Sequence, residues 1–257
     1  VAKGALVEVT VRNKIVPGLI VSVSDAVNEK TDLKAASFSI KKIGSNISSS
    51  IFTEEFLEAI QKTADYFAGT VGTTLKTLVP AIAFLLASKA QENASASPIT
   101  QKPKEKKETV GGISPHRLVL QSGEIERFSH YRSIVRSEFA QKRSVFMVLP
   151  TTEEAKRAAE HIEKGIEHYT ILFHGKLGKA DLIKAWTKAT TSEHPLLIIG
   201  TAGILSIPRL DIGFIIVERE SSTSHKLLSP PYLDIRFFAR ELAKTTGATL
   251  LLGDTLL

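Results

Sequence analysis

Two short apolar segments in the last third of the sequence most constrain the fold of this chain. Residues 196–199 and 214–217 are rich in β-branched side chains, and each run ends at glycine or at charge. Runs of this length and composition are typical of strands buried on both faces, as in a parallel sheet. In open α/β sheets, ligands bind beyond the carboxyl ends of the strands. Residues 200–201 and 218–220 are therefore the first place to look for a functional site.

Strand and helix patterns alternate from residue 113 to residue 257. Apolar strand patterns occupy residues 118–120, 144–149, 169–173, 196–199, 214–217 and 249–252, with helical spacing between most of them. This alternation predicts an α/β fold with a parallel, doubly wound sheet. Trp186 lies at helical spacing with Leu182 and Ile183, so we expect it in the core.

The first part of the chain has a different pattern. Residues 1–48 predict a small β domain, with strands at 6–11 and 19–23 and a third within 34–43. Residues 49–87 change to helical spacing and predict two short helices, which fit a winged-helix-like segment.

A linker is predicted at residues 88–112, which are dominated by Ser, Ala, Asn, Lys, Glu and Pro. A stretch of this composition buries too little apolar surface to offset the entropy of ordering, so we expect it to be disordered. The α/β lobe is predicted to follow, at residues 113–257.

Composition limits the classes of function. The net charge of +6 and the pI of about 9.4 permit a polyanionic partner without requiring one. The chain has no cysteine, so disulfides and thiolate zinc sites are excluded. No apolar run reaches transmembrane length, and we expect a cytoplasmic protein with no membrane partner. The seven histidines show no metal-ligand spacing, and no metal site is predicted.

Short motifs follow one another along most of the chain. They include Gly18-Leu-Ile-Val-Ser-Val-Ser-Asp25, Ala64-Asp-Tyr-Phe67, Val148-Leu-Pro150, Phe173-His-Gly175, Ile198-Ile-Gly-Thr201 and Ile215-Ile-Val217. In this order and spacing they resemble the PriA family of primosomal helicases (primosomal protein N′) of bacterial replication restart. The resemblance implies a domain for the 3′ end of DNA at the front. It also implies that the α/β lobe is the first RecA-like lobe of a superfamily 2 helicase.

The nucleotide motifs depart from the family pattern. A phosphate-binding loop needs several glycines, a lysine and a hydroxyl that holds Mg²⁺. The corresponding segment, residues 121–128, keeps only Gly123, with Arg127 near the lysine position and Phe128 at the hydroxyl position. The family's Asp-Glu-Glu-His pattern appears as Glu218-Arg219-Glu220-Ser221.

A degenerate nucleotide site formed by Gly123, Arg127, Glu218 and Glu220 is thus predicted, with no catalytic residue. Glu218 is left as a possible metal ligand, and weak binding of ATP and Mg²⁺ through Arg127 is left open. The sequence has no counterpart of the family's second RecA-like lobe or of its cysteine zinc sites.

The resemblance also identifies candidate DNA-binding residues. Arg12 or Asn13 stands where the family has a glycine in its 3′-end pocket, Lys14 adds charge beside them, and Lys34 matches a pocket lysine. The implied partners are forked or single-stranded DNA and other replication proteins.

Three hypotheses follow from these observations. The first is a PriA-like DNA-binding protein of replication restart whose nucleotide site is inactive. The second is an ATP-dependent 3′–5′ DNA helicase or ATPase that works with a separate second lobe. The third is a scaffold that binds proteins and no DNA.

Overall fold

The computed structural model describes residues 3–25, 27, 43–44, 46–48, 51–92 and 117–256. These residues form a small antiparallel sheet, a helical segment and a larger α/β lobe. The fold class expected from the sequence, a parallel-sheet lobe preceded by a small β domain, is confirmed.

The small sheet has three strands in the order β2-β1-β3. They are β1 (Leu6–Val11), β2 (Lys14–Leu19) and β3 (Asn46–Ser48). The predicted second strand at 19–23 was therefore placed too late along the chain. The Pro17-Gly18 pair has the composition of a turn but lies within β2. Strand β2 is an edge strand, where proline costs no ladder hydrogen bond. The predicted strand within 34–43 lies outside the described residues except for Ile43.

Three helices follow, where the sequence predicted two. They are α1 (Glu54–Tyr66), α2 (Val71–Leu78) and α3 (Ala81–Glu92). The Thr53 side chain caps α1 by accepting a hydrogen bond from the Phe56 amide at 3.2 Å. Pro80 ends the second helical pattern but also immediately precedes α3. The predicted boundary at residue 87 falls inside α3, because residues 88–92 are mostly good helix formers.

The lobe alternates strands and helices as the sequence predicted. Its strands are β4 (Arg117–Gln121), β5 (Ser144–Val148), β6 (Thr170–Phe173), β7 (Leu197–Gly200), β8 (Ile212–Glu218) and β9 (Thr249–Asp254). Its helices are α4 (Glu124–Ala140), α5 (Thr152–Ile162), α6 (Lys179–Thr191) and α7 (Ile235–Thr246). The six strands pair in parallel in the order β4-β9-β8-β5-β7-β6.

The helical segment and the lobe share one hydrophobic core. Helix α1 packs on α7, where the rings of Phe56 and Phe238 meet edge to face with centroids 5.7 Å apart. Trp186 is buried in this core next to Phe173, which confirms its predicted place. A second apolar cluster, on α4 and α5, covers the other face of the sheet. Residues 51–92 and 117–256 are therefore packed as a single unit.

Candidate nucleic-acid interface and degenerate nucleotide site

Three elements meet at the carboxyl edge of the large sheet. Strand β8 ends at Glu218, strand β9 ends at Asp254, and α4 begins just after Gly123, which follows β4. Parallel strands place their carboxyl ends on one edge, which is where ligands bind in open α/β sheets. The four residues of the predicted nucleotide site are thus all at this edge.

At the centre of this edge lies a buried ion pair between two of those residues. Arg127 and Glu218 are 1 % exposed, and Nη2 of Arg127 is 2.5 Å from Oε1 of Glu218. Nε of the same guanidinium donates to both carboxylate oxygens, at 3.1 and 3.3 Å. Burial alone disfavours the charged arginine, but the hydrogen bond and charge of Glu218 outweigh it and raise the pKa of Arg127. Arg127 is therefore held in its charged form.

Tyr131 completes this cluster and was missed by the sequence analysis. Its hydroxyl donates to Oε2 of Glu218 at 2.6 Å, and the ring is fully buried. Burial, followed by the charge of Glu218, raises the pKa of Tyr131. Tyr131 lies one helical turn after Arg127, a spacing that puts both side chains on one face of α4. That spacing was the available signal.

The other two predicted residues are placed differently. Gly123 is the N-cap of α4 with ordinary φ of −59°, and a Cβ there would come no closer than 4.0 Å to Glu126. Nothing near Gly123 therefore requires a glycine. Glu220 lies beyond β8, and its amide donates to the carbonyl of Gly253 at 3.1 Å. Its own carbonyl accepts from Arg236 Nη1 at 2.6 Å.

Arg219 stands where the resemblance places a carboxylate that orients the attacking water. The residue has a left-handed backbone, with φ of 55°, and Nη1 is 2.7 Å from Oε1 of Glu154 on α5. The side chain is about half exposed, so this pair is a surface contact. Arg219 therefore presents a positive charge in place of the expected carboxylate.

The Glu218 carboxylate, a candidate metal ligand, already has partners within the chain. Its Oε1 accepts a hydrogen bond from Arg127 and its Oε2 accepts one from Tyr131. The first turn of α4 carries Glu124 and Glu126, whose charges repel phosphate. Among the described residues, no group of three or more His, Cys, Asp or Glu side chains is arranged to hold a metal ion.

The candidate DNA-binding residues lie on the tip of the β1–β2 hairpin. Arg12 and Asn13 form its two-residue turn with φ of 47° and 61°, and Val11 pairs with Lys14 across it. Two successive positive φ values define a type I′ turn, which matches the twist of the flanking strands. Arg12, Asn13 and Lys14 are all exposed. Lys34 lies outside the described residues.

A second surface, the seam cleft, lies between α1 and the end of the lobe and was not predicted. It has a volume of about 620 Å³. Its lining combines aromatic rings with charge: Tyr66, Phe67, Tyr232, Phe237, Arg117, Lys226, Arg236, Arg240, Glu220 and Asp234. Tyr66 stacks on Phe237 with centroids 4.0 Å apart, yet two thirds of Tyr66 stays exposed. The two rings come from α1 and α7, so only the folded chain brings them together.

His174 follows β6 at the carboxyl edge and is 4 % exposed. Its Nδ1 has no hydrogen-bond partner within the described residues. Burial, with the positive charge of Lys156, lowers the pKa of His174, so the ring is held neutral.

No described helix is long and apolar enough to cross a membrane.

Comparison with known proteins agrees with the motifs. The family model of the PriA 3′DNA-binding domain matches residues 1–80. Replication restart protein PriA of Helicobacter pylori strain J99 is 24% identical over 133 residues, covering 52% of this chain and 21% of that protein. PriA of Chlamydia trachomatis serovar D is 26% identical over 125 residues, covering 48% and 16%. The chain is PriA-like, and these matches cover about a fifth or less of the length of the relatives.

Solved helicase structures show weaker similarity. Mss116p DEAD-box helicase domain 2, bound to an RNA duplex, aligns with a TM-score of 0.42 at 9% identity, covering 54% of each chain. The UvsW helicase from bacteriophage T4 aligns with a TM-score of 0.38 at 13% identity, covering 55% of this chain and 47% of that one.

Proposed function

We propose that this chain is a DNA-binding protein of replication restart that acts without hydrolysing ATP. The observation that carries the proposal is the match of residues 1–80 to the PriA 3′DNA-binding domain. The PriA relatives support the same role. A cytoplasmic location and contact with other replication proteins follow from this role and are part of the proposal.

The hairpin tip is the proposed DNA contact. The turn is formed by Arg12 and Asn13, and Lys14 follows directly as the first residue of β2. Lysine and arginine bind phosphate, and an amide side chain can hydrogen-bond to phosphate, sugar or base. The tip thus offers a preformed site for one end of a DNA strand.

Single-stranded or forked DNA is the proposed preference, supported by the seam cleft. Proteins that bind single strands combine exposed aromatic rings, on which bases stack, with positive charge along the backbone path. Tyr66 and Tyr232 supply exposed rings there, and Arg117 and Lys226 supply exposed charge. A duplex, whose bases are already stacked, would make little use of those rings.

The absence of hydrolysis is proposed from the buried ion pair. Phosphoryl transfer depends on positioned charge around the γ-phosphate, and losing one such group typically costs about 10²–10³ in rate. Here Arg127 and Glu218 neutralise each other, and Arg219 reverses the expected charge of the water-orienting position. An ATPase that works with a separate second lobe is the competing function, although no described contact favours it.

DNA binding is tested by fluorescence anisotropy with labelled single-stranded, forked and duplex DNA over a range of salt. Neutralising a phosphate releases counterions, with a slope of about 0.7 per contact on single strands. The Arg12→Glu/Lys14→Glu variant should therefore bind more weakly, with a slope lower by about 1.4. Lys164→Glu/Lys184→Glu, two exposed lysines of the lobe, is the matched control and should bind more tightly than the hairpin variant. No binding at low salt would favour the scaffold hypothesis.

Hydrolysis is tested by phosphate release from Mg²⁺-ATP with forked DNA. We expect none above the background without protein. Turnover that DNA stimulates and that Glu218→Gln abolishes would refute the non-catalytic proposal and establish the ATPase, whatever the DNA-binding result.

A further inference from the structure

The Arg127–Glu218–Tyr131 cluster lies at the carboxyl edge of the large sheet, where the resemblance predicts a nucleotide site. Its guanidinium reaches in more than one direction, since Nη1 also donates to the carbonyl of Ser122 and lies 3.2 Å from Oγ1 of Thr255. One side chain therefore connects the loop after β4, the end of β8 and the residue after β9.

The backbone around the cluster is shaped to it. A Cβ at Gly253 would lie 1.8 Å from the Tyr131 hydroxyl and 2.8 Å from Oε2 of Glu218. The glycine in β9 is thus explained by the close approach of Tyr131 and Glu218, with no ligand needed. At Gly253, strand β9 therefore lies in close contact with Tyr131 and Glu218.

The loop that follows β8 is held to the ends of β8 and β9. The carbonyl of Glu218 accepts a hydrogen bond from Nε2 of the buried His225, at 3.0 Å. Oδ2 of Asp254 accepts from the amide and the hydroxyl of Ser221, at 2.8 and 2.6 Å. Both ends of the loop are therefore fixed to residues at the ends of β8 and β9.

From these contacts we propose that Arg127, Glu218 and Tyr131 form an internal latch. The side chains of the latch connect the carboxyl ends of the strands to one another. A bound nucleotide and metal ion would otherwise make this connection. It holds residues 219–226 in one arrangement whether or not nucleotide is present. The latch does not depend on DNA binding, so it can fail or hold independently of the proposed function.

Hydrogen exchange measured by mass spectrometry on the whole chain tests the latch. Tyr131→Phe removes one hydroxyl and keeps the ion pair, so the chain should stay folded. Exchange of amides in 219–226 and 253–256 should become about tenfold faster, the size expected when a buried hydrogen bond is lost. Arg127→Met should produce a larger change in the same segments.

Arg209→Met is the matched control. Arg209 is as deeply buried as Arg127, pairs with Asp211 at 2.7 Å, and donates to the carbonyl of Ala189 at 2.7 Å. It lies before the start of β8, at the opposite edge of the sheet. Its loss should speed exchange around residues 189–194 and leave 219–226 less affected than Arg127→Met does.

Three results would overturn the latch. The first is an exchange pattern that is the same in Arg127→Met and Arg209→Met, which would mean that both arginines only add general stability. The second is protection of 219–226 in the unmodified protein by Mg²⁺-ATP, which would mean that nucleotide still enters. The third is unchanged exchange in Tyr131→Phe.

Discussion

At the scale of single residues, the three side chains of the latch differ in how far the sequence could predict them. Arg127 was assigned to the nucleotide site from its place in a degraded motif, and the structure does put it at that edge of the sheet. Its pairing with Glu218 was not predictable from local pattern, because the two residues meet only when β8 is in the sheet. Tyr131 could have been suspected from its helical spacing to Arg127, but its partner could not.

Gly253 gives a prediction at this scale. Gly253→Ala places a methyl group against the Tyr131 hydroxyl, and overpacking of this kind costs about 1–3 kcal/mol. Gly72→Ala is the control, since a Cβ at Gly72 meets no atom within 4 Å and the residue lies in α2. Urea unfolding should show a lower midpoint for the first variant and an equal or higher one for the second. Equal midpoints would show that the cluster rearranges to accept the methyl group with little loss of stability.

At the scale of elements, most of the lobe was predictable, whereas at the front of the chain β1 was placed correctly and β2 was not. Most of the lobe strands are short buried apolar runs, a pattern that locates a strand to within about two to four residues. Strand β2 was misplaced because Pro17-Gly18 has the composition of a turn, while the true turn is Arg12-Asn13. Asn13-Lys14 also has turn composition, but the strand was placed after the second turn signal instead of the first.

The contact between α1 and α7 gives the prediction at this scale. A protease site inserted near residue 103 and then cut should leave the two pieces bound, because α1 packs on α7 through Phe56 and Phe238. Size-exclusion chromatography should return one peak that contains both pieces. Phe238→Ala removes a large buried ring, at a cost of about 3–5 kcal/mol, and should promote separation after the cut. Pieces that part without the substitution would contradict a shared core.

At the scale of the whole molecule, the buried His225 makes the free energy of unfolding depend on pH. His225 is 1 % exposed, and burial lowers its pKa below the usual value of about 6.5 for histidine. Above that value the ring is neutral in both states, so pH has no effect through it. As pH falls below 6.5, His225 takes up a proton in the unfolded chain but stays neutral in the folded chain. The free energy of unfolding therefore decreases.

The expected decrease is up to about 1.4 kcal/mol per pH unit for one such group. Urea unfolding between about pH 7 and pH 5 should show it. His225→Gln should flatten the curve, whereas His130→Gln, at an exposed position, should leave it as it was. The predicted contribution of His225 is absent if both variants follow the unmodified protein.

The order of strands in the large sheet has a consequence for how the chain folds during synthesis. Strand β4 is the first of the lobe to be made, yet among the described strands it pairs only with β9, the last. Pairings between distant parts of a chain form slowly and only after the intervening residues exist. Strands β5 to β8 therefore leave the ribosome before β4 can pair with the sheet. Helix α4 likewise emerges before the sheet on which it packs is complete. Until β9 emerges, the nascent lobe has an incomplete edge that chaperones are suited to cover.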